Sequence, residues 1–174
     1  DLQYFIDGTD SFSDNYSATN WTVWVQVTDN DSATDTDSSV VKDVETLLAL
    51  DIPSSIDFGT RVLGSTTTLA NNVEMLIGQF GNESADVEVS GTDLVCDGSD
   101  GSIPAANIQW SKLDLGHGQG NILSGVAADT DFDIGLRLSA HVNKKLFWNI
   151  QIPDYGVKGT CSGATTITTK RADE

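Results

Sequence analysis

Few residues in this sequence have the type and spacing that catalysis requires. Residues 159–163 read Gly-Thr-Cys-Ser-Gly, which is the glycine spacing of a nucleophile elbow centred on Cys161. Such an elbow joins a strand to a helix and works with a histidine that comes later in the chain. Here a threonine-rich stretch follows, and both histidines, His117 and His141, come earlier. We therefore expect a glycine turn at this position and no enzymatic activity.

Zinc and dinucleotide sites have equally little support. Structural zinc sites draw cysteine and histidine ligands from closely spaced pairs, and the two cysteines and two histidines of this chain form no such pair. Residues 116–120, Gly-His-Gly-Gln-Gly, lack the strand–helix–strand context of a dinucleotide-binding loop. We expect no cofactor unless calcium binds.

Calcium has suitable ligands in the aspartate-rich segments, because hard cations prefer carboxylate oxygens. The first candidate site consists of Asp29, Asp31, Asp35 and Asp37. None of the aspartate groups has the glycine and terminal glutamate of an EF-hand. The alternative is solvated acidic loops, since aspartate supplies most of the 26 acidic residues. Two further groups are Asp129, Asp131 and Asp133, and Asp7, Asp10 and Asp14.

Four sequons offer acceptors for N-linked glycans in an exported protein. Asn82 follows Gly81 at a predicted turn and is the favoured site, although some sequons arise by chance in a chain rich in serine and threonine. We expect at least one of the four to be modified. The candidates are Asn15, Asn20, Asn30 and Asn82.

The charge and the composition favour a place outside the cell. A formal charge of −17 argues against nucleic acid, because phosphate binding needs a basic surface. No apolar run is long enough to span a membrane. The sequence begins at Asp1 rather than methionine, which is expected of an exported chain whose signal has been removed.

Two cysteines in an oxidising compartment are expected to pair. A bridge between Cys96 and Cys161 would close a long loop and stabilise the fold by about 4 kcal/mol in the chain-entropy description. Two free buried thiols are the alternative.

Alternation of apolar and polar residues with a period of two dominates the chain and predicts half-buried antiparallel strands. Trp21, Val23, Val25 and Val27 share one face of an early strand. A short helix over 40–48 is the alternative to the strand predicted at 44–52. Turn residues separate the strands, and the pattern predicts an all-β antiparallel sandwich. Further strands are predicted at 44–52, 73–77, 87–89, 108–110, 134–138, 148–152 and 165–169.

The order of motifs between residues 48 and 169 resembles the immunoglobulin-like sandwich repeats of prokaryotic cell-surface and filament proteins. The stretches that carry the resemblance are LDIPSSIDFGTRVLGSTTT, GQFGNESADVEVSGTDL, IPAANIQWS, DIGLRLS and FWNIQIPDYGVKGTCSGATTITT. The resemblance implies an immunoglobulin-like Greek-key β-sandwich. Cys161 departs from the family's pattern, which suggests a bridge to Cys96 rather than an activity.

The N-terminal segment has the features of a strand that is donated to a neighbouring subunit. Leu2, Tyr4 and Ile6 lie on one face of an extended chain, and the segment precedes the region of resemblance. It looks like the donated strand of bundling pilins and biofilm-matrix fibre subunits. We expect residues 1–14 to form an extended segment, residues 15–174 to form the sandwich, and the protein to polymerise with copies of itself.

A binding module for glycan or for another surface protein is the main alternative. Trp24, Trp110 or Tyr155 could stack on sugar rings if exposed, whereas Trp21, Trp110 and Trp148 occupy alternating apolar rows that predict burial. A viral capsid or spike domain is a weaker alternative. An exposed row of aromatic residues would favour the module, and an open apolar groove would favour the filament.

Overall fold

The computed structural model describes residues 21–42, 46–135 and 142–172, and this part of the chain is all-β. Two single turns of 3-10 helix, Asp97–Ser99 and Ala105–Asn107, are the only helical elements among these residues. The strands are β1 (Trp21–Thr28), β2 (Thr34–Lys42), β3 (Leu50–Asp51), β4 (Val73–Gln79), β5 (Ala85–Gly91), β6 (Leu94–Cys96), β7 (Ser102–Ile103), β8 (Ile108–Ser111), β9 (Asn121–Ile122), β10 (Ala128–Asp129), β11 (Asn143–Ile150), β12 (Cys161–Ser162) and β13 (Thr165–Arg171).

The first layer is a five-stranded antiparallel sheet in the order β3-β4-β11-β8-β9. Strand β11 lies at its centre and pairs with β4 on one side and β8 on the other. Trp148 of β11 stands directly opposite Trp110 of β8, and both side chains are buried. Their predicted positions in the core are therefore confirmed. The side chain of Trp21 lies outside the described part.

The second layer forms around the consecutive strands β5 and β6. Strands β13 and β12 pair with them along one side, and β10 and β7 pair with them along the other. Val87 and Val89 of β5 are fully buried, and Ile167 of β13 stands opposite Val89. Apolar residues of both layers form a single core cluster. The all-β antiparallel prediction is thus confirmed.

Strands β1 and β2 form a separate hairpin that pairs with no other described strand. Strand β2 was not predicted, because its polar sequence Thr-Asp-Thr-Asp-Ser-Ser carries no apolar alternation. Asp35 and Asp37 therefore lie on a strand rather than in the expected calcium loop. Trp24 and Val27 of β1 are exposed.

One predicted strand is shorter than expected, and another is described only in part. Over 44–52 only Leu50–Asp51 is a strand, since Leu47 donates its N–H to the side chain of Asn82 (2.6 Å) rather than to a neighbouring strand. Residues 43–45 lie outside the described part. Ile134 forms only an isolated bridge with Ala85, and residues 136–141 are also outside the described part.

The Cys96–Cys161 disulfide is present and joins directly opposed residues of β6 and β12. Neither cysteine is free. None of the helical segments within the described ranges is long and apolar enough to cross a membrane.

Removing the disulfide should destabilise the domain. It closes a loop over a sequence separation of 65 residues, so we expect the double variant Cys96→Ala/Cys161→Ala to lose about 4 kcal/mol of unfolding free energy. Urea denaturation of the variant and of the oxidised wild type measures this difference. Two alkylatable thiols in native wild-type protein would contradict the bridge.

Candidate functional site

One concave feature of the described chain is an open groove with a volume of about 1250 Å³. It lies against the core where the inner faces of both layers meet. Its floor is apolar, with contributions from Met75, Ile108, Trp148 and Ile150 of the first layer and from Leu94, Ile103 and Ile167 of the second. Its walls are the loop segment 52–63 and the segment 157–164, which includes β12.

The groove's rim exposes large apolar side chains. Val62 is 72% exposed and Leu63 is 54% exposed, and Ile52 also faces solvent. The floor residues Trp148 and Ile150, by contrast, are almost completely buried. An elongated occupant could therefore lie on a finished core and cover the rim, with no need to enter the core itself.

Gly64, which follows the wall segment 52–63, contacts residues that precede the wall segment 157–164. Its φ of +71° lies in the region that favours glycine, and its N–H donates to the carbonyl of Pro153 (3.1 Å). A Cβ added at Gly64 would lie 2.5 Å from Oδ1 of Asp154. The stretches 50–68 and 147–169, which were expected to bracket the domain, thus meet at this contact.

The charged side chains in the groove are few, and Arg61 has a structural role. Its Nε donates to the carbonyl of Phe58 (2.7 Å) and its Nη2 donates to the carbonyl of Asn71 (2.9 Å). Lys158 pairs with Asp100 across 3.2 Å. Both cations and the carboxylate residue Asp57 belong to the groove lining, so the lining combines an apolar floor with polar walls and one excess positive charge.

The lining offers no catalytic constellation. Cys161 lies in the lining but is disulfide-bonded, so it cannot supply a thiolate. A strand rather than a helix follows it, which rules out the nucleophile-elbow geometry. His117 lies in another loop, where its Nε2 is 3.3 Å from the carbonyl oxygen of Asn107.

Strand β13 forms the edge of the second layer beside the groove. Within the described ranges it pairs with β5 alone. Thr165 and Ile167 line the groove, so one long side of this strand borders the opening. The groove and the unpaired edge of β13 together form the candidate site.

The outer face of the second layer carries an acidic cluster centred on Lys170. The ammonium nitrogen lies 2.7 Å from Oδ2 of Asp129, 3.8 Å from Oε1 of Glu88 and 3.9 Å from Oδ2 of Asp86. These contacts connect β13, β5 and β10. Nearby, Nε of Arg171 lies 3.5 Å from Oε1 of the buried Glu83.

The cluster shifts the pKa values of two carboxyl groups in opposite directions. The hydrogen bond from Lys170 lowers the pKa of Asp129. Burial, reinforced by the neighbouring Asp129, raises the pKa of Asp86. Its Oδ1 atom is buried without a hydrogen-bond partner among the described residues. Lys170 in turn has a raised pKa, chiefly because of its bond to Asp129.

The expected calcium ligands do not converge. Oδ1 of Asp29 instead accepts the N–H groups of Asp31 and Ala33, both at 2.9 Å, and so shapes the hairpin turn. Across the described ranges, no three His, Cys, Asp or Glu side chains lie close enough to hold a metal ion. The residues Asp7, Asp10 and Asp14 lie outside those ranges.

The sequons differ in accessibility where the structure describes them. Asn30 is exposed in the turn between β1 and β2. Asn82 is half-buried, and its side-chain oxygen accepts the N–H of Leu47 at 2.6 Å. The structure therefore favours Asn30 over Asn82, the reverse of the expectation from sequence. Asn15 and Asn20 lie outside the described residues.

The aromatic candidates for sugar stacking lie in different elements. Trp110 is buried and cannot serve, whereas Trp24 in the hairpin is 61% exposed and Tyr155 in a loop is 83% exposed. The expected donor residues, Leu2, Tyr4 and Ile6, lie outside the described part of the chain.

Sequence analysis missed both components of the candidate site. The segments 52–63 and 157–164 were noted as motifs of the fold, not as groove walls. One signal was available for the edge: no charged residue occurs between Lys158 and Lys170, although edge strands are usually protected by charge.

Comparisons of the chain with models of protein families, with curated proteins and with solved structures found no match. What the protein does is therefore inferred from the groove and from the strands beside it.

Replacing Lys170 should raise the pKa of both carboxyl groups. In Lys170→Gln the pKa of Asp129 should rise toward its ordinary value, and that of Asp86 should rise further because an attractive cation is gone. Asp129 stabilises the fold while ionised, so this contribution is present above its ordinary pKa and is lost as the pH falls through its lowered value. Carboxyl-carbon NMR titration measures both groups.

The matched control is Lys145→Gln, which breaks an exposed ion pair with Glu74 (2.9 Å) on the other layer. It should leave Asp86 and Asp129 unchanged. An unaltered pKa of Asp129 in Lys170→Gln would show that Lys170 does not lower this pKa.

A glycan, if attached to the described sequons, should be on Asn30 and not on Asn82. Asn30 is exposed, whereas the carboxamide of Asn82 is held by Leu47. Chymotryptic cleavage at aromatic residues separates all four sequons, and mass spectrometry of protein from its natural source then locates the sugar. Modification of Asn82 with Asn30 unmodified would reverse this assignment.

Proposed function

We propose that this chain is an immunoglobulin-like β-sandwich subunit of an extracellular filament, either a pilus or a matrix fibre. Each subunit would polymerise by donating residues 1–12 to the groove of a neighbouring copy. The observation that carries the proposal is the open apolar groove beside the unpaired edge of β13. An acceptor of this mode needs a sheet edge for main-chain hydrogen bonds and pockets for alternate side chains.

The exposed rim gives a physical reason for the groove to be filled. Contiguous apolar surface on a soluble domain commonly marks an interaction site, and Val62 and Leu63 expose such surface at the rim. Leu2, Tyr4 and Ile6 share one face of an extended segment. Burying three such side chains would contribute on the order of 5–8 kcal/mol before ordering costs.

The charges of donor and acceptor are complementary. Residues 1–12 carry Asp1, Asp7 and Asp10 and no basic residue. The groove lining contributes Arg61 and Lys158, two of only nine basic residues in a chain of net charge −17. Asp57 is the acidic residue of that lining, so the lining carries one more basic than acidic side chain, opposite in sign to the charge of the donor segment.

The connection between donor and domain sets how far the donor can reach. The described structure starts at Trp21, which pairs with Lys42 at the base of the hairpin. Residues 13–20 then form a spacer that can extend over about 26 Å. Residues 1–12 could accordingly leave their own subunit and reach a neighbour.

A surface-binding module for glycan or protein is the second candidate function. Its support is the exposure of Tyr155 and Trp24, which could stack on sugar rings. The two lie in a loop and in the hairpin, not in one row along a strand. The groove is thus the stronger observation.

Disturbing the apolar face of the donor segment should prevent polymerisation. We expect full-length wild-type protein to form filaments visible by electron microscopy, and Tyr4→Asp to remain monomeric because a charge would be buried in the groove. Gln3→Asp is the matched control: it adds the same charge on the opposite face and should still polymerise.

Two results would contradict the proposal. One is filament formation by Tyr4→Asp at the wild-type rate. The other is a stable wild-type monomer whose residues 1–12 resist proteolysis, because the segment would then be held within its own subunit.

A further inference from the structure

We infer that β13 is the strand that accepts the donor, so that residues 1–12 of a second copy pair with Thr165–Arg171 and not with β4 on the opposite side of the groove. This inference rests on the proposed function, because it specifies where the donated segment binds. It follows from the direction of the backbone groups, from the distribution of charge along the two edges and from the groove lining.

The hydrogen bonds of β5 show which way its backbone groups point. The N–H of Ala85 donates to Ile134, the carbonyl of Val87 accepts from Thr130, and the N–H of Gly91 donates to Ser124. All three partners lie on the β10 side. Because the N–H and C=O of one residue point to the same side of an antiparallel strand and alternate along it, the groups of Asp86, Glu88 and Ser90 point toward β13.

The register between β5 and β13 then identifies the free groups of β13. Thr166, Thr168 and Lys170 stand opposite Ser90, Glu88 and Asp86, so their backbone groups bond to β5. The N–H and C=O groups of Thr165, Ile167 and Thr169 must point away from β5. These three residues have no backbone partner on that side within the described chain.

The edge of β13 lacks the charges that usually prevent pairing with another chain. Edge strands are commonly protected by lysine or proline, yet residues 161–169 contain neither. Lys170 on this strand is committed to the acidic cluster across the sheet's outer face. Arg171, the last residue of the strand, is paired with Glu83 across 3.5 Å. An edge that carries no charge from Cys161 to Thr169 is a template for an added strand.

The opposite edge, that of β4, is less suitable. Leu50 and Asp51 of β3 already pair with the end of β4. Glu74 carries a charge paired with Lys145, and Arg61 ties the wall segment 52–63 to Asn71 at the start of β4. An incoming strand would have to displace this wall.

An added strand at β13 would direct its side chains into the groove. Thr165 and Ile167 line the groove and stand opposite Gly91 and Val89, which are buried on the inner face. Alternate residues of a paired strand share that face. Leu2, Tyr4 and Ile6 have the required spacing, and the seven residues of β13 offer about 23 Å of edge.

The test compares proline and alanine at Thr169 in the full-length chain. Thr169→Pro removes an N–H that points away from β5, which an edge strand tolerates, so the fold should persist while polymerisation is lost. Thr169→Ala keeps the N–H and should polymerise. Thr165→Pro repeats the test at a second outward position, and Thr168→Pro removes a bond to β5 and should lower the melting temperature.

Sedimentation and electron microscopy measure polymer formation, and circular dichroism measures folding. Hydrogen exchange, followed by NMR or mass spectrometry, measures protection of the amides of Thr165, Ile167 and Thr169. Loss of polymer in both folded outward-proline variants, together with protection of these amides in wild-type polymer, would support the inference. Wild-type polymerisation by folded Thr169→Pro and Thr165→Pro would overturn it and leave the proposed filament intact.

Failure of the proposed function gives a different result. One outcome is a wild type that stays monomeric while the three amides are protected. Residues 1–12 of the same chain then occupy the edge. This result contradicts polymerisation but keeps β13 as the accepting strand. If the wild type stays monomeric and the three amides exchange rapidly, both are overturned.

Discussion

A two-layered β domain must bury the inner face of each sheet, and here one side of the shared core is open to the groove, where the segments 52–63 and 157–164 complete the burial of residues such as Trp148 and Ile150. The first layer has five strands in order, whereas in the second layer β5 and β6 each lie between two partner strands. On one side, the turn Ala105–Asn107 links β7 to β8 and closes the gap between the layers. On the other side, no strand of the described chain joins β13 to β4, and the groove lies between them.

The features around the groove follow from this open side. The loop segment 52–63 covers part of it, anchored by the hydrogen bonds of Arg61 and by the close approach of Gly64 to Pro153. Because a loop cannot bury its apolar side chains as a paired strand does, Val62 and Leu63 remain exposed. The Lys170 cluster connects β13 to β5 and β10, and the disulfide joins β12, which precedes β13, to β6.

The properties that sequence analysis predicted correctly are local or compositional. Alternation with a period of two identified β4, β5, β8, β11 and β13, because each has one face in the core. The burial of Trp110 and Trp148 followed from the same rows. The alternation rule failed for β2, because its polar residues 34–38 are exposed on both faces and carry no hydrophobic signal. It also failed for 44–52, where a hydrogen bond from Leu47 to the side chain of Asn82 replaces strand pairing.

The sequence by itself determined an all-β antiparallel domain, its buried tryptophans and the pairing of its two cysteines. Only the tertiary structure decided that β13 is an edge, that its outward backbone groups belong to Thr165, Ile167 and Thr169, and that two distant loops form a groove beside it. The physical reason is that strand order and register depend on hydrogen bonds between residues far apart in sequence. Local alternation records which face of a strand is buried, but not which neighbour stands beside it.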